Sequence, residues 1–132
     1  MKSLFILMAM LFAVALSSSS AVVSKTSNAP RKQKAVVQFN EPVRLQGVML
    51  KGEYLFVHDE AAMMRGEACT FVYEGDAEIG GKLVVSFHCT TVARQKVDSF
   101  IVRTEQVSAG VTELREFQFS GDKEGHLAPP AK

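Results

Sequence analysis

Hydrophobic and polar positions divide this chain into three kinds of text. Leu4 to Leu16 is an unbroken apolar run, preceded by Met1-Lys2-Ser3 and followed by the small residues Ser17 to Ala21. A short positive start, a greasy core too brief to span a bilayer comfortably and a small-residue exit make a secretory signal, expected over 1–21. Residues 22–35 have no sustained period and contain Pro30, which predicts a flexible basic leader. From Val36 the pattern shifts to short runs rich in β-branched and aromatic residues. Strands are expected at Val36–Phe39, Val43–Leu50, Tyr54–His58, Cys69–Tyr73, Leu83–Cys89, Ser99–Glu105 and Val111–Phe119. Turn residues punctuate them at Asn40-Glu41-Pro42, Lys51-Gly52-Glu53, Glu74-Gly75-Asp76 with Gly80-Gly81, and Ser108-Ala109-Gly110.

About seven short strands without a βαβ pattern predict an all-β domain over 36–120. The expected form is a small antiparallel β-sandwich, or else a partly closed barrel. One segment breaks the alternation. His58-Asp59-Glu60-Ala61-Ala62-Met63-Met64-Arg65-Gly66 reads as a short connecting helix over 59–65, with Asp59 as N-cap and Gly66 just past its end. The tail, 121–132, shows neither period and is expected to be irregular.

Alternation also bears on the cysteines. Leu83, Val85, Phe87 and Cys89 share one strand face, as do Cys69, Phe71 and Tyr73, so each cysteine falls on the more apolar side of its strand. Two cysteines in an exported chain predict a disulfide, Cys69 to Cys89. Its loop of about 20 residues would be worth roughly 3 kcal/mol on the chain-entropy model.

Charge narrows the partners. Removal of residues 1–21 takes one lysine from the 15 basic side chains and leaves 14 of each sign. Zero net charge argues against nucleic acid, which draws on a basic surplus. No cysteine ends the signal, so no lipid-anchor acceptor stands there and no membrane anchor is expected. The chain is expected to work in the periplasm or outside the cell, on an unknown protein or small ligand, without a cofactor.

Two constellations could carry chemistry. The strand-to-helix junction offers His58, Asp59, Met64, Arg65 and Glu67 as a binding patch at a sheet rim, the leading expectation being a non-catalytic binding or interaction module. The alternative is a copper-type metal site using His58, Met63, His88 and His126, from the imidazole and thioether donors that an exported copper protein favours. His88 and Cys89 are strand neighbours pointing to opposite faces, so they are not expected to hold one ion together. A small hydrolase, with His58 or His88 as base, is a weaker third reading, since Ser86 lacks the sharp turn that exposes a nucleophile.

The strings Gly52-x-Tyr54-Leu55-Phe56-Val57-His58-Asp59, Met63, Gly66-Glu67, Cys69 and Phe87-His88-Cys89 occur with Phe117-x-Phe119-x-Gly121 and Gly125-His126. Together, over residues 41–128, they resemble a group of small exported bacterial proteins of unknown function. The resemblance implies export and a compact domain and assigns no chemistry.

Overall fold

The computed structural model describes residues 29–130. The expected signal, 1–21, lies outside them, as does the leader as far as Asn28. The described residues form β1 (Lys32–Leu45), β2 (Val48–Asp59), α1 (Glu60–Met64), β3 (Thr70–Glu74), β4 (Leu83–Phe87), β5 (Thr90–Ala93), β6 (Ile101–Ser108), β7 (Val111–Gln118) and β8 (Glu124–Leu127). Among them no helix is long and apolar enough to cross a membrane.

The fold is mostly β, as expected, but it is not a sandwich of two sheets. One hydrogen-bonded sheet runs β4-β3-β2-β1-β7-β8-β5, with β6 added on β7, and curls into a half-barrel. Nor is it wholly antiparallel. β1 and β7 meet in parallel at Arg44 and Glu113, whose side chains pair at 2.7 Å across the seam. Hairpins force antiparallel pairing only between strands they connect. The seam joins two such meanders edge to edge, so no hairpin sets its direction. Twist accumulating along strands of 14 and 12 residues curls the sheet so that one face lines its inside.

The β1–β2 hairpin shows why the punctuation misled. Its turn is Gln46-Gly47, both at positive φ (51° and 79°), as a two-residue type I′ turn requires. Asn40-Glu41-Pro42 is instead a bulge inside β1: Phe39 pairs with Gly52 and Val43 with Leu50, so three residues face one. Pro42 has no N–H for the ladder, and bulges are where a strand tolerates that. β1 also begins at Lys32, inside the stretch expected to be a flexible leader. Lys32 and Lys34 form its solvent face and both pair with Glu78 at 2.8 Å, while Ala35 and Val37 pack inward. Likewise the tail contains β8, ordered by pairing with β5 and β7 over a length too short to show a period.

Inside the curl, Phe56 of β2 and Phe117 of β7 are fully buried with ring centroids 5.5 Å apart. Phe39, Leu50, Val72, Phe87, Leu114 and Phe119 complete the core around them. On β3 the buried residues are Thr70 and Val72, while Phe71 and Tyr73 are half-buried, the reverse of the expected facing. Helix α1 follows expectation. Asp59 caps it by accepting from the Ala62 N–H at 3.2 Å.

Candidate metal centre

Four elements deliver one polar cluster to the end of the core. His58 is the next-to-last residue of β2 and faces inward with Phe56. The chain then leaves for α1 and is turned straight back. Gly66, at φ 75°, donates to the Met63 carbonyl and Glu67 to the Ala62 carbonyl, the paired bonds of a Schellman stop. The return brings Cys69 beside His58: the Asp59 N–H donates to the Cys69 carbonyl at 2.8 Å, and the Cys69 N–H to the Phe87 carbonyl at 3.2 Å. Cys89 sits in the two-residue link between β4 and β5. His126 on β8 is held between Phe117 of β7 and Thr91 of β5.

Three of these side chains converge, and His126 lies beside them. The ligand atoms of His58, Cys69 and Cys89 all lie within 4.8 Å of one another. Cys89 Sγ lies 3.7 Å from His126 Nδ1, and the two imidazole centroids are 4.2 Å apart. Phe117 stacks flat under His126, with centroids 5.1 Å apart at 19°. His58, Cys69 and His126 are 3%, 1% and 1% exposed, whereas Cys89 is half-buried and forms the outer side of the cluster.

The expected disulfide is not formed. Cys69 Sγ and Cys89 Sγ are 2.8 Å apart, well beyond the roughly 2.05 Å of a covalent bond, and both residues are free thiols. The two thiols share a 2.8 Å contact open to either sulfur as donor, and Cys69 Sγ accepts from the Cys89 N–H at 3.2 Å. The Cys89 thiol, then His58, hold the Cys69 thiol well below its ordinary range against the opposing effect of burial. The hydrogen bond with Cys69, then burial, push the Cys89 thiol the other way. Burial, then the neighbouring His58, push His126 down to about 4, outweighing the opposite pull of Asp122 and Cys69, so its ring is neutral at pH 7.

As inert packing, this cluster would be costly. Three buried side-chain nitrogens among the described residues have no hydrogen-bond partner, and two are His58 Nε2 and His126 Nε2. Each such orphan costs about 1–3 kcal/mol. A carboxylate stands behind the second: Asp122 Oδ2 is 4.0 Å from His126 Nε2. A ligand on His126 Nδ1 would make this the carboxylate–histidine arrangement that orients metal-bound imidazoles.

A second polar cluster fixes the walls. Glu116, 2% exposed, receives Arg94 and Arg103. The Gln118 amide donates to the Gln95 and Asp122 carbonyls at 2.8 and 2.9 Å. These bonds pin the segments following β5 and β7 on either side of β8. At Gly125 the Glu116 carboxylate occupies the space a Cβ would need, which lets β8 lie close enough to present His126.

Of the residues expected to form sites, His58 and His126 meet the two cysteines, and Met63 and His88 do not. Met63 lies on α1, 37% exposed, and His88 is exposed in the β4–β5 link. The rim patch is divided too: His58 is buried, Asp59 is the helix cap, and Met64 is exposed, while Arg65 and Glu67 pair with each other at 3.0 Å in solvent. Ser86, like His88, is exposed. Asp122, Phe117, Glu116 and Gln118 were not anticipated. The four-residue spacing from Asp122 to His126, beside Gly125, was the one available signal. Comparison with family models, curated proteins and solved structures gives no match for this chain.

Proposed function

We propose that this chain is an exported, non-catalytic binding module whose ligand is a d10 metal ion, zinc(II) or copper(I). Cys69, Cys89 and His58 are its ligands, and His126 is the fourth. The observation that carries the reading is the convergence of two sulfurs and an imidazole within 4.8 Å, where the buried His58 Nε2 lacks a partner. Thiolate and imidazole together select such ions over hard cations, which take oxygen ligands. One cation would engage the thiolate and the imidazoles at once, in a pocket where each is costly alone. With four protein donors the site would be closed, which suits holding an ion better than reacting at it. The secretory pattern at 1–21 and the resemblance to small exported bacterial proteins support the location.

Cobalt(II) titration of the reduced, metal-free protein tests this. The expected result is one equivalent per chain, with tetrahedral visible bands and near-ultraviolet sulfur-to-cobalt charge transfer. His58→Ala and Cys89→Ser are expected to lose at least ~10-fold in affinity, while Met63→Ala and His88→Ala leave it unchanged. Saturation without charge transfer, or equal loss in His88→Ala, would sink the assignment.

A further inference from the structure

We propose that Cys69 and Cys89 are also a thiol–disulfide switch that closes this metal site on oxidation; the proposal rests on the metal reading above. The sulfurs stand between two working positions. Their 2.8 Å separation must open to about 3.7 Å for two bonds of about 2.3 Å to a tetrahedral ion. It must shorten to about 2.05 Å for a disulfide. Each change is under about 1 Å, and the links carrying the two residues already face each other through the Cys69–Phe87 backbone bond.

The two sulfurs also differ in access, which orders the chemistry. Cys69 is buried against Thr70 and the Phe87 carbonyl, while Cys89 is half-buried on the outer side. A low-molecular-weight disulfide therefore meets Cys89. The Cys89 sulfur attacks one oxidant sulfur, in the metal-free protein passing its proton to the adjacent Cys69 Sγ, and forms a mixed disulfide while expelling one small thiolate. Cys69, held against Cys89, then attacks the Cys89 sulfur and expels the second. The pair loses two electrons and the oxidant's disulfide gains them. In the metal-free protein the two thiol protons pass to the released thiolates and solvent; in the loaded protein the ion departs instead. Afterwards neither sulfur carries the charge that held the ion, and only His58 and His126 remain as donors.

The test uses the reduced mature protein with zinc(II) and oxidised glutathione. Zinc binding is first titrated in the reduced state, and failure there defeats the metal reading alone. Oxidation is then followed by intact mass and by a chromophoric zinc chelator. The expected result is loss of two hydrogens per chain, release of one zinc per disulfide formed and affinity lowered more than about 100-fold. Metal-free protein is expected to form the same disulfide, which keeps the redox step testable without the ion. A disulfide that leaves zinc bound would overturn the proposal. So would a persistent glutathione adduct that Cys69 never resolves, or thiols that stay reduced in the folded protein while the urea-unfolded chain reacts.

Discussion

Phe117→Ala is expected to destabilise the domain by about 3–5 kcal/mol, a large part of the 5–15 kcal/mol typical of a whole domain. Phe117 is fully buried on β7, and its ring meets those of Phe56, Phe87, Phe100 and Phe119 at 5.5 to 6.3 Å. It also underlies the cluster, through its stack on His126. Removing it therefore opens a cavity where β2 and β7 face each other and leaves His126 without its floor. Urea unfolding of both proteins measures the cost. A loss below about 1 kcal/mol would mean that the half-barrel does not close around this ring.

Acid is expected to weaken the metal-free protein well above the carboxylate range. His126 titrates near 6.5 when unfolded and is pushed down to about 4 when folded, chiefly by burial. Above pH 6.5 both states are neutral and the full stability is present. As pH falls from about 6.5 to about 4, the unfolded chain takes up a proton that the folded chain refuses, and stability is lost. The shift corresponds to about 3 kcal/mol across that window. Cys69, also depressed, gives a slope of the same sign, but the wild type and His126→Gln share it. Urea midpoints from pH 7.5 to 4.5 are thus expected to fall more steeply in the wild type than in His126→Gln. Parallel curves would show that His126 is not the buried, neutral imidazole described.

Much of the scaffold was legible because it is local. The Asp59 cap and the Gly66 stop follow from spacing and turn chemistry alone. What stayed hidden is non-local. Nothing in β1 says that Arg44 will lie parallel to Glu113 rather than beside a hairpin partner. Pro42 looks like a strand break unless the pairing across it is known, because a bulge and a turn draw on the same residues. On β3, alternation placed Cys69 in the core together with Phe71. The structure buries Cys69 because it precedes the strand, while Thr70 and Val72 take the inner face.

The site follows the same division. His58 and the two cysteines were recognisable as soft ligands by type, and strand geometry separated Cys89 from His88. Met63 seemed near because it is five residues from His58 in sequence, yet α1 carries it toward solvent. His126 needed β8, four residues whose order comes entirely from β5 and β7. The supporting Glu116 and Gln118 bonds join residues more than ten positions apart as well as near neighbours, and no local pattern announces them.

Zinc-edge X-ray absorption on the reduced, zinc-loaded protein tests the central claim most directly. Two sulfur scatterers at about 2.3 Å with nitrogen at about 2.0–2.1 Å are expected, and the sulfur shell is expected to vanish in the Cys69→Ser, Cys89→Ser double variant. A first shell of oxygen and nitrogen alone, or a sulfur shell that survives the double substitution, would contradict it.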